Sequence, residues 1–143
     1  MDRHLQEVVN LMRKLIILSC LLFFCGCQVS EQNPRLVPLV ALLSTPEKFD
    51  GNDVIFTGFL GRGSDVYLTK EHSDINDRAS SLFLSLSDRE REALSISACI
   101  QKHVEVVGSF GLVKVPGLAP RLGITDVKSL REKVTNVVCK SKN

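Results

Sequence analysis

The sequence contains no tryptophan and one tyrosine, and its remaining aromatic residues are seven phenylalanines. Domains that bind nucleic acid commonly combine a basic face with several stacking aromatic side chains. Here 18 Lys and Arg stand against 16 Asp and Glu, so the formal net charge is only +2. This composition argues against a nucleic-acid partner.

The sequence also lacks the short motifs that mark common catalytic and metal sites. It contains no Gly-x-Ser-x-Gly, no His-Glu-x-x-His and no glycine-rich phosphate loop. His72 lies in one stretch with Glu71, Asp74, Asn76 and Asp77, but the stretch lacks the glycine and the terminal glutamate of a calcium loop. We interpret it as a solvated polar loop. We therefore expect a protein that is not an enzyme and that holds no metal and no cofactor.

The most informative segment is an apolar run from Leu15 to Cys25, which follows Arg13 and Lys14. A secretory signal needs a positive start, an apolar stretch of roughly 7 to 15 residues and small residues at the cut. A membrane-spanning helix would need about 20 apolar residues, which this run does not reach. We predict that residues 1–26 are a cleaved signal peptide.

The four residues Phe24-Cys25-Gly26-Cys27 resemble the lipobox of bacterial lipoproteins. Gly26 and Cys27 match that pattern, whereas Phe24 stands where Leu is preferred and Cys25 where Ala or Ser is preferred. The resemblance implies a diacylglycerol thioether and an acylated amine on Cys27, and several acyl chains give stable membrane anchoring. Two alternatives stay open, namely an ordinary secretory leader and cleavage before Cys20.

The residues around the leader refine the expected start of the chain and its expected cellular location. Asp2 and Glu7 are unusual at the start of a leader, so Met12 is an alternative start. Residues 27–36 are polar and contain a proline, which predicts a lipidated N-terminus followed by a short tether. Gln28 stands where enteric lipoproteins retained in the inner membrane carry Asp. By that resemblance we expect an envelope protein on the periplasmic face of the outer membrane rather than on the inner membrane.

Residues 37–143 predict one mainly β domain with short helices. Helical spacing predicts a short helix over Val37–Leu43, and a Ser87 cap with Glu90 three positions later predicts a second helix. Strand composition marks five segments. They are a run from near Asp53 to Leu60, then 65–69, 81–86, 103–110 and 122–130.

The predicted order of elements is three strands, one helix and two strands. This is the order of the five-stranded Greek-key barrel called the OB-fold. Gly58 inside the first strand indicates a bend there. The stretch Leu42–Leu60 also resembles a group of small uncharacterised bacterial OB-like proteins that share its turn and strand. The predicted fold class is therefore a small five-stranded OB-like barrel.

OB-folds bind ligands on the face of their second and third strands and on adjacent loops. The candidate ligand face here consists of Phe59, Arg62, Tyr67, Lys70 and Phe83. The alternative places Tyr67 and Phe83 in the core and leaves the charges as scattered solvated groups.

Two thiols, Cys99 and Cys139, remain in the domain. An oxidising compartment favours a disulfide between them. The alternative is a buried Cys99 and a free Cys139, and the sequence does not decide between the two.

These observations favour a lipid-anchored, non-catalytic binding module of the envelope with a protein or glycan ligand. Three alternatives stay open. They are an immunity or inhibitor lipoprotein against a toxin or envelope enzyme, an envelope hydrolase with an unrecognised site, and a structural subunit of an envelope assembly.

Overall fold

The computed structural model describes residues 33–141, so the predicted signal peptide and the lipidation site Cys27 lie outside the described residues. Within that range the strands are β1 (Arg35–Leu36), β2 (Asp53–Leu60), β3 (Asp65–Tyr67), β4 (Ser81–Leu84), β5 (His103–Val113), β6 (Arg121–Glu132) and β7 (Val138–Ser141). The helices are α1 (Leu39–Ser44), α2 (Lys70–Asp74) and α3 (Asp88–Ser95). No helix in this part of the chain is long and apolar enough to cross a membrane.

Five of the strands close into a barrel. The order is β2-β3-β4-β6-β5, and β5 pairs back onto β2 along seven residue pairs. The β4–β6 pair is parallel and the other barrel pairs are antiparallel. With α3 between β4 and β5, this is the strand order and direction of an OB-like Greek-key barrel, and the predicted fold class is confirmed.

Strand β2 shows why the sequence builds a barrel. Its side chains alternate, and Val54, Phe56 and Leu60 are fully buried inside. Gly58 occupies the remaining inward position. A Cβ there would lie 2.5 Å from Val66 Cγ1 and 2.9 Å from the Tyr67 carbonyl oxygen, so glycine is needed where β3 approaches β2 closely.

The parallel β4–β6 pair depends on a second close approach. Gly123 lies opposite Phe83 in the register, and a Cβ at Gly123 would collide with the Phe83 carbonyl oxygen. A larger residue at this position would push β6 away from β4 and open the barrel.

Helix α3 begins with the predicted capping box. The Glu90 carboxylate accepts a hydrogen bond from the Ser87 amide at 2.8 Å, and the Glu90 amide donates to Ser87 Oγ at 3.4 Å. Leu94 on this helix is buried in the main core. The helix therefore packs its apolar side onto the barrel.

Two strands lie outside the five of the barrel. Arg35 and Leu36, which the sequence predicts to lie in the tether, form β1 and pair in parallel with Val54 and Ile55 of β2. No sequence signal predicts strand β7, which pairs with residues 129–131 of β6. Cys99 and Cys139 are disulfide-bonded with Cα atoms 6.2 Å apart, which attaches β7 to the segment before β5.

Candidate functional site

The outer face of β3 and β4 carries the polar side chains of the candidate site. Val66, Leu82 and Leu84 point inward and are fully buried. The alternating positions therefore point outward, where Asp65 lies opposite Phe83 and Tyr67 lies opposite Ser81.

An ion pair between β3 and β6 lies on this outer face. The Arg121 guanidinium donates to Asp65 Oδ1 at 2.5 Å and to Ser81 Oγ at 3.2 Å. Its Cζ lies 5.4 Å from the centroid of the Phe83 ring. The two charged side chains are 18% and 16% exposed, so this pair is largely shielded from solvent. Arg121 is therefore held by a carboxylate, a hydroxyl and an aromatic ring together.

Helix α2 covers the outer end of β3. Thr69 caps this helix by accepting a hydrogen bond from the His72 amide at 3.4 Å. Tyr67 points outward from the strand yet is only 4% exposed, and its hydroxyl donates to Asn76 Oδ1 at 2.8 Å. Burial raises the pKa of Tyr67, and the Asp65 carboxylate raises it further, so the phenol stays a neutral donor at physiological pH.

Between β3, α2 and the β2–β3 turn lies a polar cleft with a volume of about 520 Å³. We call it the β3 cleft. Its lining residues are Arg62, Gly63, Asp65, Tyr67, Ser73, Asp74, Asn76, Arg78 and Gln101.

The charges of the β3 cleft are not balanced. Asp65 is paired with Arg121, and Asp74 accepts a hydrogen bond from Lys70 at 2.6 Å. Arg62 and Arg78 are exposed, and neither forms a salt bridge or a side-chain hydrogen bond with the described residues. Two guanidinium groups are thus available to acceptor groups of a ligand.

The five residues predicted for the ligand face fall in different places. Arg62 and Tyr67 line the β3 cleft. Phe83 lies beneath Arg121. Lys70 does not line the cleft, but it pairs with Asp74, which does. Phe59 is 5% exposed and packs edge-on against the His103 ring, with centroids 5.5 Å apart.

Sequence reasoning misses the residues that complete the site. The sequence places Arg121 at the end of a Pro- and Gly-rich loop and marks Asp65 only as the start of a strand. No local sequence signal predicts that the two pair, because Arg121 lies 56 residues beyond Asp65 along the chain. Gln101 lies at the cleft because its backbone N–H donates a hydrogen bond to the Leu60 carbonyl oxygen at 2.9 Å. This tertiary contact has no local sequence pattern.

The described residues also set the chemistry available in this region. Among residues 33–141 no group of three or more His, Cys, Asp and Glu could hold a metal ion.

Comparison with protein-family models, with curated proteins and with solved structures finds no match for this chain.

Proposed function

We propose that the protein is a lipid-anchored, non-catalytic binding module of the bacterial envelope, which holds a polar, acceptor-bearing ligand in the β3 cleft. The observation that carries the proposal is the pair of guanidinium groups of Arg62 and Arg78, unpartnered among the described residues, above a cleft of about 520 Å³. The lipobox-like ending at Cys27 supports the anchor. The disulfide between Cys99 and Cys139 supports an oxidising compartment.

The ligand that best complements the cleft is a glycan with carboxylate groups. Guanidinium groups bind carboxylates through two parallel hydrogen bonds. The amides of Asn76 and Gln101 and the hydroxyl of Ser73 line the same cleft and suit sugar hydroxyls. The cleft carboxylates, Asp65 and Asp74, are each paired with a cation, which favours binding over an envelope hydrolase.

Calorimetric titration of the processed full chain in detergent tests the cleft. The probes are a four-unit oligouronate and a neutral oligosaccharide of the same length. Charged hydrogen bonds contribute about 1.5 to 3 kcal/mol each, so Arg62→Ala with Arg78→Ala should weaken oligouronate binding by roughly a hundredfold or more.

A matched variant, Arg89→Ala with Lys114→Ala, removes two exposed cations that do not line the cleft. It should leave oligouronate affinity unchanged. Equal affinity for the two probes, or an equal loss in this variant, contradicts a carboxylate site in the β3 cleft.

A protein ligand is the second candidate, and one observation favours it. Ile75 is 76% exposed and directly precedes Asn76 at the cleft rim. An immunity or inhibitor lipoprotein would use such an apolar contact beside the two arginines. Ile75→Ser, which adds no charge at the rim, should then weaken binding of a toxin encoded beside this chain's gene and leave oligouronate binding intact.

Intact mass and membrane fractionation test the anchor. Expression of the full chain in a bacterium should give a membrane-bound product that lacks residues 1–26 and carries acyl chains. Cys27→Ala should lose the acyl mass and the membrane association. An unprocessed soluble chain would overturn both the anchor and the envelope address.

A further inference from the structure

A second pocket lies at the opposite end of β2 from the β3 cleft. Its volume is about 360 Å³, and Asp53 and Val54 at the start of β2 contribute to its wall. The other lining residues are Asn33, Arg35, Lys48, Phe49 and Asn52. We call it the tether pocket, because it includes the first described residues of the domain.

The tether pocket carries an excess of positive charge. Arg35 and Lys48 are exposed, and neither forms a salt bridge or a side-chain hydrogen bond with the described residues. The one acidic group in the lining, Asp53, is already bound by Lys128 and by the Ser109 hydroxyl, the latter at 2.7 Å. Two cations therefore remain without an anion among the described residues.

The other lining groups suit a phosphate ester. The side-chain amides of Asn33 and Asn52 are donors for phosphate oxygens, and Arg is well shaped for two-point contact with phosphate. Phe49 supplies an apolar wall for the carbon skeleton that carries the phosphate. This lining differs from that of the β3 cleft, which holds two arginines and no phenylalanine.

The position of the pocket limits its distance from the proposed anchor. Asn33 lies six positions after Cys27, and six residue steps span at most about 22 Å when fully extended. Leu36, which follows Arg35 in β1, and Val40 in α1 are 73% and 57% exposed. Exposed apolar side chains beside unpaired cations are typical of a surface that meets an anionic membrane.

We propose that the tether pocket binds the phosphate of an anionic membrane phospholipid, with Arg35 and Lys48 as the binding cations. The inference rests on the proposed lipid anchor, since the anchor would hold the pocket among headgroups at a high effective concentration. Strand β2 has eight residues and therefore runs about 23 Å from this pocket toward the β3 cleft. Headgroup binding would thus direct the ligand cleft away from the bilayer.

The absence of tryptophan from the chain allows a clean test, because a single introduced tryptophan is the sole indole fluorophore. Leu36→Trp places it on an exposed position of β1, and the processed full chain is reconstituted in vesicles. The vesicles are either pure phosphatidylcholine or phosphatidylcholine with about 30 mol% phosphatidylglycerol. The indole emission should shift to shorter wavelength, and brominated lipid should quench it, with the phosphatidylglycerol vesicles alone.

Variants in the same background assign the effect to the pocket. Each basic residue near an anionic surface strengthens binding about fivefold, so Arg35→Ala with Lys48→Ala should weaken the membrane-contact equilibrium about 25-fold. Arg89→Ala with Lys102→Ala removes two exposed cations outside the pocket and should leave the spectrum unchanged.

Each contrary outcome overturns the inference in a recognisable way. Equal spectra in the two vesicles, or an equal loss in the Arg89 and Lys102 variant, shows no headgroup site. A response to free glycerol 3-phosphate but not to phosphatidylglycerol vesicles assigns the pocket to a soluble ester. If intact mass shows no acyl chains, the proposed anchor fails by itself, and adding the same vesicles to the soluble chain still tests the pocket.

Discussion

At the scale of single residues, the Asp65–Arg121 pair is the contact whose loss should cost most on the outer face. Both side chains are more than four-fifths shielded, and each is the other's main countercharge. Removal of one partner leaves a charge that is poorly solvated and unpaired. We expect Arg121→Met to lower the free energy of unfolding by about 2 to 3 kcal/mol, measured by urea denaturation.

A second pair on the same side of the molecule serves as the control. Lys70 and Asp74 lie 2.6 Å apart, but their side chains are 59% and 51% exposed. Lys70→Met should therefore lower the free energy of unfolding far less than Arg121→Met does. In a double-mutant cycle, Asp65→Asn with Arg121→Met should recover part of the loss. If Arg121→Met lowered the free energy of unfolding no more than Lys70→Met does, the Asp65–Arg121 pair would not be a main source of stability on this face.

At the scale of elements, the contact between α3 and β7 should make stability depend on pH. Hydrogen bonds from Lys140 and from the amide and hydroxyl of Ser87 lower the pKa of Glu90 to about 2, against 4.5 for the free group. Because the folded-state pKa is depressed, this contribution is fully present above pH 4.5 and is lost as the pH falls from 4.5 toward 2. The Glu90 side chain is 39% exposed, so solvent screening limits the effect to about 1 kcal/mol.

Urea unfolding at about pH 7 and about pH 2.5 measures this dependence. Glu90→Gln should lose about 1 kcal/mol less stability between the two pH values than the unaltered protein does. Glu92→Gln, two positions along on an exposed part of the helix, should behave like the unaltered protein. Parallel losses in all three proteins would mean that the Glu90–Lys140 contact does not form in solution.

The disulfide attaches β7 to the rest of the domain in addition to its pairing with β6 and the Glu90–Lys140 contact. It closes a loop with a sequence separation of 40 residues, for which the chain-entropy estimate is about 4 kcal/mol. We expect Cys99→Ala with Cys139→Ala to lower stability by about 3 to 4 kcal/mol. Amide hydrogen exchange should accelerate more in Val138–Ser141 than in β2. Uniform acceleration across the barrel would instead show that β7 is part of the cooperative core.

The elements also show what can be predicted from sequence and what cannot. Strand β2 and the α3 cap carry local signals, namely strand composition and the Ser87–Glu90 spacing, and both elements occur where these signals predict them. Strand β7 carries no such signal, since it depends on the disulfide and on a turn closed by Glu132. The Glu132 carboxylate accepts a hydrogen bond from the Val134 amide at 3.0 Å.

The candidate site is harder to predict than the fold, for a physical reason. Outward-facing positions are determined by strand register, but their exposure depends on what packs over them. Tyr67 points outward and is nevertheless buried, because α2 folds over it. Arg121 reaches Asp65 from a strand 56 residues further along the chain. Neither fact has a local sequence pattern.

At the scale of the whole molecule, two pockets at opposite ends of β2 would give a lipid-anchored chain a fixed orientation at the bilayer. The tether pocket would contact headgroups most often when the segment between Cys27 and Asn33 keeps it close to the bilayer. Effective concentration falls roughly as the −3/2 power of linker length. Insertion of about 20 Gly and Ser residues before Asn33 should therefore weaken the membrane contact, reported by the indole of the Leu36→Trp variant, about ninefold.

The same insertion should leave other properties of the protein unchanged. Oligouronate binding in the β3 cleft should be unaffected, because that cleft lies at the far end of β2 and contains no residue of the tether pocket. The urea midpoint should also stay the same, since the insertion lies outside the barrel. An inserted chain whose indole emission is unaltered would mean that the headgroup contact does not depend on the anchor, and a lost oligouronate affinity would mean that the two ends of β2 are coupled.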